Sequence, residues 1–267
     1  MSLLKKHLAP VEEKVWDFIE EETRSVLAEK LTGRKLVDTS GPKGIDYSAY
    51  NTGRRKNLNI NDNLDEQNIK YSLREVLPLI EIEIPFTLNK SEIEAFLRGA
   101  RDADIDEALE AAKKLAKIEN NAIFYGLEEA GIEGLIDISE HTNFNLNQDT
   151  GFLSPLISAI QLLKKENVGG PYNLIIGPDL YSLLYELDGK GYPLKNKIQN
   201  AIGGNIIYTE ELADKGILID EGDDFKLVIG QDISIGFNKE NEKTLEFFLT
   251  ESFTFKANAP EAVVVFN

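Results

Sequence analysis

The sequence predicts an α+β protein, on three observations: one long helical signal from Asp104 to Gly131, an alternation of helix and strand signals from Phe152 to Ile219, and long strands in the tail. The helix opens on Asp-Ile-Asp-Glu, carboxylates placed where free backbone N–H groups and the helix dipole favour them. No Pro or Gly follows until Gly126, and Leu109, Ala112, Leu115, Ala116, Ile123 and Leu127 recur at three- and four-residue spacing. Lys113, Lys114 and Lys117 fall mostly between them, so one face is buried and the other wet. About six turns are expected, stopped by Gly131.

Taken in order, Pro10 suits a first helical turn, and Val15, Trp16, Phe18, Ile19, Val26, Leu27 and Leu31 make an apolar stripe up to Gly33. From Arg34 an extended segment is punctuated by Gly41, Pro42 and Gly44. Residues 48–72 are polar, with the basic cluster Arg54, Arg55 and Lys56, and read either as disordered or as an arm folding against a neighbouring subunit. Val76–Leu88 alternates Ile80, Ile82 and Ile84 with Glu81 and Glu83, a half-buried strand, and a short helix at Ser91–Leu97 ends at Gly99.

Beyond the long helix, an Asn-rich loop leads to a helix at Phe152–Lys165 and a strand at Tyr172–Ile176. Helices at Pro178–Leu187 and Pro193–Ile202 each begin with proline, and strands at Asn205–Tyr208 and Gly216–Ile219 complete a small α/β sheet. Phe225–Phe237 and Leu245–Phe255 read as an antiparallel pair joined by the charged turn Asn238–Lys243. Ala262–Phe266 is almost wholly apolar and is expected inside a sheet.

With 267 residues, 42% of them hydrophobic, the chain can bury a core, which excludes a disordered protein. It has no cysteine, so disulfides and thiolate metal sites are excluded, in keeping with a reducing cytoplasm. No signal peptide and no run near the roughly 18 apolar residues of a membrane helix is found, so a soluble cytoplasmic protein is expected. A formal charge of −17 repels phosphate backbones and anionic membranes, so neither nucleic acid nor membrane is expected as a partner.

Few residues suggest catalysis. Asp102, Asp104 and Asp106 have the opening spacing of a calcium loop, but Glu107 replaces the turn glycine and Lys113 the bidentate Glu, so helix capping is the better reading. His7 and His141 are the only imidazoles and neither has a second histidine at ligand spacing; Glu140 beside His141 reads as a solvated pair. Gly169-Gly170 and Gly203-Gly204 flank strands without forming a phosphate-cradling loop. No catalytic residue, metal or cofactor is expected.

The order of the text carries more. The N-terminal Leu-Ala-Pro with Trp16, Leu31-Thr-Gly-Arg-Lys-Leu-Val-Asp38, Gly41-Pro42, Leu77-Pro-Leu-Ile80, Phe86-Thr-Leu88, Gly170-Pro-Tyr172 and Tyr192-Pro-Leu194 occur in sequence. Phe225-Lys-Leu-Val-Ile-Gly-Gln-Asp-Ile-Ser-Ile-Gly236 and Thr250-Glu-Ser-Phe-Thr-Phe255 follow. Over essentially the whole chain this resembles the encapsulin shell proteins, also called linocin-type bacteriocins. The resemblance implies the tailed-phage major capsid fold: a P-domain from residues 1–46, 75–133 and 226–258, an E-loop at 47–74, and an A-domain from 134–225 and 259–267. It also implies a self-assembling icosahedral nanocompartment of about sixty or more copies, without catalysis of its own.

Shells of that family enclose cargo enzymes, often ferritin-like iron-oxidising proteins or dye-decolorising peroxidases, captured through a C-terminal targeting peptide. The resemblance places capture near Leu27, Leu31, Arg34, Asp38, Gly230, Gln231, Asp232 and Ile233. Leucine and isoleucine would form an apolar groove while Arg34 and Asp38 pair with peptide charges; the alternative is that Arg34 and Asp38 pair with each other. Asp188, Gly189, Lys190, Gly191 and Tyr192 fall where the family lines its five-fold pore. The aromatic through which some members bind flavin is replaced by Asn89-Lys90-Ser91, so flavin is not carried over. Two rival readings are a phage major capsid protein, disfavoured by the acidic balance and the short text before the first helix, and a bacteriocin or protease, for which no nucleophile and base are found.

Overall fold

The computed structural model describes residues 3–58, 70–146, 151–185 and 194–267. A 3-10 turn at Lys6–Leu8 precedes α1 (Glu13–Lys30), and a second at Gly33–Lys35 leads into β1 (Asp38–Ser40). Next come β2 (Ala49–Leu58), β3 (Tyr71–Pro78), β4 (Ile80–Asn89), α2 (Lys90–Leu97) and α3 (Asp106–Phe124). The middle of the chain forms α4 (Leu135–Ile138), β5 (His141–Phe144), α5 (Leu153–Lys165), β6 (Tyr172–Ile176), α6 (Pro178–Leu183), α7 (Leu194–Ile202), β7 (Gly203–Tyr208) and β8 (Gly216–Asp220). The tail forms β9 (Phe225–Ile229), β10 (Ser234–Glu240), β11 (Thr244–Ala257) and β12 (Val263–Phe266).

β11 organises one sheet. Ten of its 14 residues, 244–253, pair with β4 along one edge, while β10 and then β9 pair antiparallel with it and β1 adds to β9 in parallel. The predicted strand at Phe225–Phe237 is therefore two strands. Between them Gly230 N–H donates to the Ser252 carbonyl, and the Gln231 N–H donates to the Ser252 hydroxyl, which interrupts the ladder and turns the loop outward. A Cβ at Gly230 would lie 2.6 Å from that hydroxyl oxygen, so the loop closes only around a residue without a side chain.

The long helix is shorter than predicted. α3 ends at Phe124 because Gly126 adopts φ +77°, where a Cβ would meet the Ile132 carbonyl oxygen at 2.5 Å. Leu127 then exchanges backbone hydrogen bonds with Ile132, and Gly131 ends a separate 3-10 turn at Glu128–Ala130. At its other end Ile105, not an aspartate, stands at the N-cap without a side-chain bond, and Asp104 Oδ1 just before it accepts the Asp106 N–H at 3.0 Å. α1 begins at Glu13, not at Pro10, since the backbone is still extended at Glu12. The Arg34 segment opens as a 3-10 turn before it extends, and the Val76–Leu88 strand breaks at Leu79, β3 joining β2 and β4 joining β11.

A second sheet, in the order β5-β12-β8-β6-β7, is covered by α5 and α7. β12 lies between β5 and β8 with all four residues buried, as its apolar run predicted. The sequence does not predict α4 and β5, since each is only four residues long and too short to show a period. β2 and β3 form a two-stranded ribbon that is almost wholly exposed. Arg55 stands directly opposite Arg74 on it, and Leu73 and Val76 are open to solvent.

Candidate partner-binding groove

α1 turns its apolar stripe inward. Val15, Trp16, Ile19 and Leu27 pack with Phe86, Leu88, Leu115, Phe247 and Leu249 from β4, α3 and β11. Phe247, fully buried, meets Trp16 edge-on at 5.4 Å between ring centroids and stacks on Phe86 at 5.6 Å. This packing leaves a groove of about 440 Å³ between the second half of α1 and the start of β10. Its apolar walls are Leu27, Ala28, Leu31, Ile233, Ile235 and Leu249, and its charged rim includes Lys6, Glu20, Arg24, Arg34 and Asp232. Lys6 is ion-paired with Glu20 and sits 5.1 Å from the centre of the Trp16 ring.

The end of α1 is locked before Arg34 leaves it. Asn120, fully buried on α3, accepts the Gly33 N–H at 2.9 Å and donates to the Lys30 carbonyl at 2.8 Å. A Cβ at Gly33 would strike Ile123 at 2.5 Å, so the glycine allows the turn to sit against α3. Arg34 is thereby laid over Glu119, one residue before Asn120. Its Nε donates to both Glu119 oxygens at 3.1 and 2.9 Å and its Nη2 to Oε2 at 2.8 Å. Nη2 also donates to Glu251 Oε1, and Nη1 to Asp232 Oδ1 at 3.1 Å.

Glu119 and Glu251 are fully buried and Arg34 is 19% exposed. Burial opposes the guanidinium charge, but hydrogen bonds and attraction to Glu119, Glu251 and Asp232 outweigh it and hold the Arg34 pKa well above its ordinary value. Glu251 is shifted the other way for a carboxyl: burial and the adjacent Glu119 charge push its pKa well up, against the pull of Arg34.

Five of the eight residues placed at the capture site, Leu27, Leu31, Arg34, Asp232 and Ile233, meet in this groove. Gly230 and Gln231 do not line it; they form the loop that delivers Asp232 and Ile233. Asp38 stands outside, ion-paired with Lys226 at 3.1 Å across β1 and β9. The alternative pairing of Arg34 with Asp38 is thus replaced: Arg34 has three acidic partners elsewhere, and Asp38 has a lysine. Glu119 and Glu251 escaped the sequence reading. Neither stands out in the text, since Glu119 is flanked by Lys117, Asn120 and Asn121, and Glu251 by Thr250 and Ser252.

Asp188, Gly189, Lys190, Gly191 and Tyr192 lie outside the described residues. Among the described residues no group of three or more His, Asp or Glu side chains is arranged to hold a metal ion, and no helix is long and apolar enough to cross a membrane.

These features define a capsid-like shell subunit: a spine helix, a long-stranded sheet, a second α/β sheet and an extended ribbon. Solved structures share the fold. A virus-like particle from Pyrococcus furiosus matches with a TM-score of 0.63 and 19% identity over 92% of this chain and 98% of that one. The capsid of Myoviridae phage XM1 matches at 0.58 and 10%, over 88% and 91%, so the fold is of the Hong Kong 97 capsid type. In sequence, residues 1–254 match the family Linocin_M18, described as encapsulating protein for peroxidase. The type 1 encapsulin shell protein of Rhodospirillum rubrum is 35% identical over 99% of this chain and 96% of its own length. That of Mycobacterium tuberculosis is 34% identical over 99% and 98%. The chain belongs to the encapsulin shell-protein family.

Proposed function

We propose that the chain is a non-catalytic, cytoplasmic shell subunit that assembles with copies of itself, about sixty or more, into a closed icosahedral nanocompartment. The observation that carries this is the β2–β3 ribbon. Two arginines face each other across it, Arg55 and Arg74, which is unfavourable in an isolated ribbon, and its apolar Leu73 and Val76 are uncovered. On a neighbouring copy of a chain with net charge −17, acidic side chains would offset the paired arginines, while apolar side chains would be needed to cover Leu73 and Val76. In this reading the ribbon as far as Arg74 belongs to the E-loop of residues 47–74, and the rest of β3 leads into the P-domain. Residues 1–46, 75–133 and 226–258 form the P-domain, and residues 134–225 and 259–267 form the A-domain.

The shell would enclose a cargo enzyme, a ferritin-like iron-oxidising protein or a dye-decolorising peroxidase, by seating its C-terminal targeting peptide in the α1–β10 groove. An extended peptide with leucine or isoleucine side chains would find Leu27, Leu31 and Ile233, and its charges would find Arg34 and Asp232 at the rim. Light scattering and negative-stain microscopy of the purified chain test the assembly. A closed particle of about 1.8 MDa, or a multiple, is expected for a 29.9 kDa subunit. A monomer or dimer under native conditions would overturn the reading.

A further inference from the structure

Three carboxyls converge on one guanidinium in the groove wall, and two of them have no access to water. We propose that Glu251 holds a proton beneath Arg34, beside Glu119, and that loss of this proton as the pH rises adds a second buried negative charge behind the groove wall.

The geometry assigns the proton to Glu251. Glu119 takes three of the guanidinium contacts and carries the balancing charge. Glu251 takes one contact, through Oε1, while its Oε2 is buried and meets no donor. As a carboxylate oxygen, Oε2 would be an orphaned acceptor in a dry site. A proton there turns it into a donor, and the Glu119 carboxylate, held by the same Arg34 Nη2, is the acceptor it would use. The direction of the Glu251 shift agrees, with burial as its largest cause and Glu119 the next.

The turn after α1 contributes Arg34, α3 contributes Glu119, and the β9–β10 loop contributes Asp232, whose Oδ1 is also held by the Ile233 N–H. On β4 the residue opposite Glu251 is the uncharged Ile82, so Glu81 and Glu83 project from the other face. Lys6, Glu20 and Arg24 lie farther along the groove toward the start of α1. Because Glu119 is on α3 and Glu251 on β11, the proton also joins the spine helix to the central sheet. When it passes to solvent base, two buried carboxylates repel across that contact and compete for one arginine.

Infrared spectroscopy of the intact full-length protein in D2O, titrated from neutral to alkaline pH, reads a protonated carboxyl through its C=O band. The expected result is one such band at neutral pH that vanishes as the pH rises and is missing from Glu251→Gln. That amide reproduces the protonated state, its oxygen accepting from Arg34 and its nitrogen donating to Glu119. Asp220, a second carboxyl raised by burial, keeps whatever signal it has in this variant. Should Glu251→Gln fail to fold, Glu119→Gln removes the same band by removing the competing charge. Absence of a protonated carboxyl from the wild-type protein at neutral pH, or a band that survives in these variants, would overturn the proposal.

Discussion

Arg34 and Glu119, 85 positions apart in the chain, meet in a bidentate ion pair whose carboxylate is fully buried. The contact ties the turn after α1 to the middle of α3 and fixes one wall of the groove. It is held from behind by Asn120, which bonds both ends of the Lys30–Gly33 turn.

Removing Arg34 leaves Glu119 and Glu251 buried together without a cation. Arg34→Ala is expected to lower stability by about 3–5 kcal/mol, the range for breaking a buried pair from one side. Urea unfolding of variant and wild type at matched protein concentration measures it, and a loss below about 1 kcal/mol would show that water enters the site.

Glu251 predicts a pH dependence with a definite sign. Its folded-state pKa is raised, so the folded chain binds the extra proton, and stability falls as pH climbs from the unfolded carboxyl value of about 4.3 toward the folded value. Glu251→Gln removes this decline. Melting temperatures of the two proteins should therefore diverge with rising pH, the variant becoming the more stable; parallel curves would contradict the shift.

At the centre of the core between α1, α3 and the β11 sheet, Phe247 touches Trp16, Phe86 and Phe237 with ring centroids within 5.8 Å. Phe247→Ala should cost about 3–5 kcal/mol, the transfer and cavity cost of a buried aromatic. Chemical denaturation checks the value, and Phe247→Leu is expected to recover a large part of the loss.

Gly126→Ala places a methyl against the Ile132 carbonyl in a left-handed backbone, and an expected loss of about 1–3 kcal/mol follows. Gly99 shares the positive φ, at 102°, but has open space around it. Gly99→Ala should cost less in the same thermal unfolding experiment, and the reverse order would show that strain alone, not contact, governs both.

A charge in the apolar floor of the groove tests the cargo reading separately from the shell reading. Ile233→Asp is expected to leave particle size unchanged and to reduce the cargo that co-purifies at least about tenfold. Full loading of an intact Ile233→Asp shell would place capture elsewhere.

Periodicity and punctuation carried most of the local structure. The strand at Tyr172–Ile176 and the short helix before Gly99 agree with the sequence reading to within a residue, because each is a short run between clear stops. The buried final strand was legible for the same reason: five successive residues without a charge leave it no wet face. Where the reading failed, the local pattern was true of two structures at once. Phe225–Phe237 has the alternation of one strand and is two, since only the approach of Ser252 on β11 shows that the chain leaves the ladder at Gly230.

By itself the sequence determined the α+β class, the acidic surface, the polar arm and, through the order of its motifs, the family and five residues of the groove. The tertiary structure alone decided who faces whom. Arg34 offers no local sign that its partners are Glu119 and Glu251 rather than Asp38, four residues away. Local spacing sets which residues share a face of one element, whereas an ion pair between distant elements depends on how those elements pack, and burial then sets its charge.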